Sequence, residues 1–182
     1  ISNVCGQEKK YVEIEVSIPT NSISINGTLL NPASKGKKDL VIIIPGSGPT
    51  DRNGNNVAMT NNSLKYLAAE LVKNNIASYR YDKSVLSYTK DDKAKIDSIS
   101  FNTFIDEAKT VIQYFKKEKK YSKIIIAGHS QGSLVGLLAT EAGVDSLISL
   151  AGAGNPIDQI ILEQITKTAP FFSVVIKAAW RS

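Results

Sequence analysis

The residues with the clearest capacity for chemistry surround one serine. Residues 124–134 read Ile124-Ile125-Ile126-Ala127-Gly128-His129-Ser130-Gln131-Gly132-Ser133-Leu134. This is an apolar stretch, a Gly-x-Ser-x-Gly turn and the first residues of a helix. A sharp strand-to-helix corner forces the serine into a strained backbone conformation, so the positions two residues away must be small. Gly128 and Gly132 meet that need. The Ser130 hydroxyl then projects beyond the strand, at a helix N-terminus where the dipole favours developing negative charge. The chemistry implied is nucleophilic attack with a covalent acyl intermediate. The competing reading is that Ser130 only caps the helix.

Acyl transfer also needs donors for an oxyanion. The backbone N–H of Gln131, directly after the serine, is one candidate. The second comes from the loop Pro45-Gly46-Ser47-Gly48-Pro49-Thr50-Asp51-Arg52-Asn53-Gly54-Asn55. Gly46 and Gly48 allow close backbone approach, and the Ser47 N–H is the natural donor. The rival is a phosphate-binding loop, but the lysine that such a loop requires is missing and Gly-x-Gly-x-x-Gly is not met.

These loops need a scaffold that presents them together. Tyr11 to Ile18 alternates, with Val12, Ile14, Val16 and Ile18 on one face, as a half-buried strand does. Ser22 to Leu30 follows as its antiparallel partner, with Asn26-Gly27 read as a bulge or turn. Leu40 to Ile44, Ile76 to Tyr81, Lys123 to Ala127 and Ser146 to Leu150 are apolar runs typical of parallel strands buried on both faces. Between them lie amphipathic helices over Ser63–Asn74, Phe101–Lys117 and Ser130–Ala142, the last ended by Gly143. A further helix spans Asp158 to Thr168. The alternation predicts an α/β fold with a mostly parallel sheet and an N-terminal antiparallel hairpin. Ligands of such sheets bind beyond the carboxyl ends of the strands, where both loops emerge.

Composition narrows the classes. With 182 residues, 42% hydrophobic and 21% charged, the chain can bury one core. The domain reading places it at 11–182, with a cap-like region beginning after 155 and a signal-peptide remnant or disordered N-terminus over 1–10. No apolar run is long enough to span a bilayer. The net charge of +5 comes from scattered lysines. Their densest group, Lys116-Lys117-Glu118-Lys119-Lys120, ends a predicted helix, where cations suit the dipole. No nucleic-acid-binding motif accompanies the charge, so no nucleic-acid partner is expected. The single cysteine, Cys5, excludes an intrachain disulfide and a cysteine-based metal cage. The segment 1–7 is similar to the tail of a secretory signal peptide, with small residues before Gln7. It implies a secreted or periplasmic protein; an arbitrary start, and a cytoplasmic one, is the alternative.

Taken together, Pro45 to Gly54, Arg80-Tyr81-Asp82 and Gly128-His129-Ser130-Gln131-Gly132 resemble bacterial α/β-hydrolase serine esterases. They are nearest to the secreted carboxylesterase-like group of Bacteroidetes-type bacteria. The resemblance covers residues 11–170. It implies the α/β-hydrolase fold and hydrolysis of small-molecule carboxylic esters through an acyl-enzyme, without metal or organic cofactor. It also implies that Asp51 and Arg52 shape the loop beside the site, by substrate contact or by a local ion pair. One departure is that Lys83-Ser84-Val85 stands where many relatives carry an Arg-Gly pair and a later Gly-Lys-Ser.

The second departure concerns the base. In this fold the acid and then the histidine follow the serine in the chain. The only histidine is His129, inside the turn and aimed away from Ser130, with an expected role in packing and hydrogen bonding behind it. Asp158 is a candidate acid; its alternative role is a favourable N-terminal helix residue. The resemblance implies a chain truncated at its C-terminus, with the last strands missing and little activity of its own. Three rivals stand beside the esterase: a peptidase, lactonase or acyltransferase on the same machinery, a non-catalytic binding remnant of the fold, and, more remotely, a nucleic-acid binder.

Overall fold

Leu40, Val41, Ile42, Ile43 and Ile44 form the centre of the molecule, each no more than 3% exposed. Alternate side chains leave a strand on opposite faces. Leu40, Ile42 and Ile44 therefore enter one core and Val41 and Ile43 another. Each such side chain contributes roughly 1.5–3 kcal/mol by leaving water.

The computed structural model describes residues 11–168. Its elements are β1 (Tyr11–Ile18), β2 (Ile25–Pro32), β3 (Lys38–Ile44), α1 (Ser63–Lys73), β4 (Ala77–Tyr81), α2 (Lys93–Asp97), α3 (Phe101–Glu118), β5 (Tyr121–His129), α4 (Gln131–Ala139), β6 (Ser146–Leu150) and α5 (Ile157–Thr168). The strands form one sheet in the order β1-β2-β4-β3-β5-β6. β1 pairs antiparallel with β2, and β2 with β4; β4, β3, β5 and β6 run parallel. The expected hairpin and mostly parallel sheet are both present.

Each side of the sheet is covered by the helix whose stripe fits it. On one side α3 buries Ile105, Ala108, Val111, Ile112 and Phe115, and α4 adds Val135 and Ala139. On the other, α1 buries Leu64, Ala68 and Val72 against Val41 and Ile43. α3 starts at a capping box in which Ser100 and Thr103 each satisfy the other's backbone N–H. α4 is continued by a 3₁₀ turn, Thr140–Ala142, and Gly143 at φ 84° ends it as expected.

Three expectations need correction. Val12 (53% exposed) and Ile14 (42%) are not buried, because β1 is the outermost strand of the sheet. Alternation reports which face a side chain takes, not whether anything covers that face. Asn26-Gly27 is neither bulge nor turn: it pairs in unbroken register with Val16 and Ser17. Gly27 is there for space, since a Cβ would lie 2.6 Å from Cε2 of Tyr79. β6 is not buried either. Among the described residues it pairs only with β5, and Ile148 is 46% exposed.

The chain divides after Gly152. The second unit contains α5, whose first turn closes with the Ile160 N–H donating to the Pro156 carbonyl at 3.2 Å. The N-terminal segment 1–10, including Cys5 and the signal-peptide reading, lies outside the described residues. No described helix is long and apolar enough to cross a membrane.

Candidate functional site

Ser130 stands at the corner between β5 and α4 with φ 53° and ψ −120°. A positive φ on a residue with a side chain costs about 1–3 kcal/mol and persists only where its surroundings enforce it. Here the enforcing contacts are visible. The Ser130 N–H donates to the Leu150 carbonyl at 2.8 Å, and the Ser133 N–H returns to the Ser130 carbonyl at 2.9 Å. One turn into α4, the Ser133 hydroxyl donates to the Gly128 carbonyl at 2.6 Å. Ser133 is buried, and nothing in the Gly-x-Ser-x-Gly pattern points to it as a brace.

The two flanking glycines are required by main chain rather than by side chains. A Cβ on Gly128 would lie 2.6 Å from Cα of Ser133 and closer still to the Gly132 carbonyl. A Cβ on Gly132 would lie 2.6 Å from the Pro45 carbonyl oxygen and closer to that of Ile44. Register explains the second contact: Gly128 on β5 is the partner of Ile44, the last residue of β3. The corner and the loop leaving β3 therefore meet backbone to backbone.

That loop begins with Pro45 and Gly46, both buried, and surfaces at Ser47. Gly46 lies against the corner: its missing Cβ would sit 3.5 Å from the Ser130 Cβ and 3.1 Å from Nδ1 of His129. Among the described residues, neither the Ser47 N–H nor the Gln131 N–H donates to a protein acceptor. The fold thus brings Gly46, the neighbour of Ser47 in the loop, against the corner formed by Gly128, Ser130, Gln131 and Gly132. His129 is exposed and its ring makes no hydrogen bond among the described residues, so the expected hydrogen bonding behind the corner is absent. Its ring flanks Gly46 instead. Asp158 falls in α5, and its side chain lies outside the described residues.

Further along, the loop is pinned by charge. Asp51 accepts the N–H groups of Asn53 and Asn55, each at 2.8 Å, closing a tight turn. Arg52 forms an ion pair with Asp82 at 2.7 Å and another with Glu15 at 2.5 Å. Partial burial alone would raise the Glu15 carboxyl; hydrogen bonds from Thr28 and Arg52 outweigh it and hold Glu15 below the ordinary range. Arg80 donates to Asn53 at 3.1 Å. A cleft of about 450 Å³ opens among Glu13, Glu15, Arg52, Arg80 and Asp82, but Ser130 is not in its wall. Its charged lining is ill suited to an acyl chain. Asp51 therefore holds the turn by hydrogen bonds and Arg52 by ion pairs to Asp82 and Glu15, rather than by an ion pair between the two.

One residue was not anticipated as part of this region. Lys83, two positions past β4, is 3% exposed and donates to the carbonyls of Gly46 at 2.6 Å and Gly48 at 2.7 Å. The available signal was positional: a lysine just past a buried strand, at the end of the sheet where the glycine-rich loop emerges. Among the described residues, no group of three or more His, Cys, Asp or Glu side chains is arranged to hold a metal ion.

A mostly parallel sheet in this order, with a serine on a strained corner between strand and helix, is the α/β-hydrolase architecture. Solved structures share it. Est1E from Butyrivibrio proteoclasticus is 22% identical, with a TM-score of 0.57 over 85% of this chain and 55% of that one. A dienelactone hydrolase from Anabaena variabilis is 17% identical, with a TM-score of 0.57 over 79% and 65%. A thermostable carboxyl esterase from Bacillus coagulans is 13% identical, with a TM-score of 0.60 over 85% and 49%. The chain belongs to the serine aminopeptidase, S33, family, whose pattern matches residues 57–180. Esterase EstD of Thermotoga maritima is 25% identical over 162 residues, 85% of this chain. The chain spans 37% of the length of that relative.

Proposed function

We propose that the protein carrying this chain is a carboxylic ester hydrolase with Ser130 as its nucleophile. The observation that supports this most is the conformation of Ser130: a strained φ of 53°, braced from three sides, with the glycine loop against it. Ser130 Oγ attacks the ester carbonyl carbon. The resulting oxyanion accepts hydrogen bonds from the N–H groups of Ser47 and Gln131, which have no other protein acceptor among the described residues. Collapse expels the alcohol and leaves an acyl-serine, which water then hydrolyses by the same route. EstD, an esterase by name, supports a small-molecule ester as the substrate class.

The reaction also needs a general base. His129 is the only histidine in the 182 residues, and it is bonded to neither Ser130 nor any acid among the described residues. The reading therefore assigns no base within the described residues. A secreted or periplasmic location, suggested by residues 1–7, belongs to the same proposal and is tested by cell fractionation.

A second reading, amide hydrolysis at a peptide N-terminus, is favoured by the name of the matched family. One experiment separates the readings. The full-length protein is assayed with p-nitrophenyl esters and with aminoacyl p-nitroanilides, and is labelled with a fluorophosphonate, alongside Ser130→Ala. Ester turnover and labelling that both vanish in the variant support the proposal. Preferential anilide turnover supports the peptidase. Turnover unaffected by Ser130→Ala, or neither turnover nor labelling in the parent, overturns the nucleophile assignment; the latter result marks a non-catalytic member of the fold.

A further inference from the structure

We propose that Lys83 is a positioning residue for the oxyanion loop, holding the Gly46–Ser47 peptide so that the Ser47 N–H faces the Ser130 corner. The inference rests on the nucleophile reading above and adds to it the device that aims one of the two donors.

The loop cannot aim itself. Ser47 is flanked by Gly46 and Gly48; Gly48 has φ 73°, and nothing lies within 4 Å of its missing Cβ. Glycine populates both signs of φ, so the local sequence leaves the peptide plane free to turn over. In a trans peptide the C=O and N–H point in opposite directions. Whatever grips the Gly46 carbonyl therefore decides where the Ser47 N–H points.

Lys83 Nζ is that grip, at 2.6 Å from the Gly46 carbonyl oxygen. The sheet order gives the direction. β4 and β5 lie on opposite sides of β3, the loop leaves β3, Lys83 follows β4 and Ser130 follows β5. A carbonyl drawn toward Lys83 on the β4 side turns the attached N–H toward the β5 side, where Ser130 stands. The bond from Lys83 to the Gly48 carbonyl has a different effect. Pro49 supplies that peptide with no N–H, so the bond only clamps the end of the turn, together with the Thr50 N–H, which donates to the same oxygen at 2.9 Å.

The ammonium is otherwise poorly matched to its surroundings. Among the described residues it forms no ion pair; Nζ also lies over the Phe104 ring, 5.0 Å from its centroid. Burial lowers its pKa to about 8, and the field of Glu107 restores part of the loss. A cation is seldom buried without a carboxylate partner. Here it meets two carbonyls of the loop that lies against the nucleophile, which is a site for orienting backbone rather than for closing a surface turn.

The test uses the full-length protein, with Lys83→Met to keep the stem and remove the donors. With p-nitrophenyl butyrate, kcat falls about 10–100-fold while KM stays within about threefold, the pattern for a donor that acts on the transition state. In ¹H–¹⁵N spectra the Ser47 amide shifts or broadens and the Gln131 amide holds its place. A kcat within about twofold of the parent, or a fall in kcat with an unmoved Ser47 amide, overturns the proposal. If the variant does not fold, the parent protein decides: slowly exchanging Lys83 ammonium protons with hydrogen-bond coupling to the Gly46 carbonyl carbon are expected, and their absence overturns it. Turnover that survives Ser130→Ala would instead remove the nucleophile reading, while the dependence of the Ser47 amide on Lys83 would still be readable.

Discussion

Arg52 holds Asp82 through both main chain and side chain: its backbone N–H donates to Oδ1 at 2.7 Å, and its Nε donates to Oδ2 at 2.8 Å. The loop after β3 is thereby tied to the residue that follows β4. Both side chains are mostly withdrawn from solvent, at 16% and 24% exposure, so the pair is screened less than a surface bridge. The other carboxylate paired with Arg52, that of Glu15, is largely exposed.

Arg52→Ala is expected to lower unfolding free energy by about 1–3 kcal/mol, because it leaves the Asp82 carboxylate under-paired in a partly dry place. Glu15→Ala is expected to cost less than about 1 kcal/mol, as exposed bridges do. Urea unfolding of both variants checks this; equal losses would mean that the pairing with Asp82 carries no special weight.

Gly132→Ala places a methyl 2.6 Å from the Pro45 carbonyl oxygen. No side chain can rotate away to relieve that contact, so β3 or the corner must move. A loss of about 1–3 kcal/mol in stability is expected, together with loss of fluorophosphonate labelling. A variant that unfolds and labels like the parent would show that the corner has slack.

Gly27→Ala on β2 drives a methyl into the ring of the fully buried Tyr79. About 1–3 kcal/mol of destabilisation is expected for such overpacking. The cost should shrink by at least about 0.5 kcal/mol when Tyr79→Leu is already present, since the two sites share the same space. A double-mutant cycle by denaturant unfolding measures the coupling, and strict additivity would contradict the packing account.

Lys83 makes stability depend on alkaline pH. Its folded pKa of about 8 lies below the ordinary 10.5, so the unfolded chain binds the proton more tightly. Between those values the unfolded state holds more protons, and the contribution of this group to stability rises with pH. Below pH 8 its burial is a constant cost. The stability of the parent relative to Lys83→Met should therefore improve from pH 7.5 to pH 10 in paired urea titrations, whereas a flat difference would show that burial does not depress the ammonium.

How much of this could be read from sequence depended on where each cause lies. β3 was legible because every position of Leu40 to Ile44 is apolar, which only a strand covered on both faces tolerates. Ser130 was legible because the glycines that make room for it lie within the same five residues. The purpose of Gly27 was not, because the ring that excludes a side chain comes from β4, a neighbour in the sheet but far along the chain. The exposure of Val12, Ile14 and Ile148 depends on what lies beside β1 and β6, which alternation within a strand cannot report. The role of Lys83 was hidden for a different reason: its partners are main-chain carbonyls, and a backbone acceptor leaves no residue type to recognise. The contrast recurs in Ser133, which braces the corner through the carbonyl of Gly128.

The contact of Gly132 with the carbonyls of Ile44 and Pro45 also bears on how such a site can be altered. The nucleophile corner and the donor loop are spaced by main chain, which is the same whatever side chains Ile44 and Pro45 carry. A volume-conserving apolar substitution at Ile44 therefore keeps the spacing, whereas insertion or deletion of a single residue within 44–47 or 128–132 would reset it at once. A library built to broaden the substrate range is best kept fixed in length across both segments and diversified elsewhere around the corner.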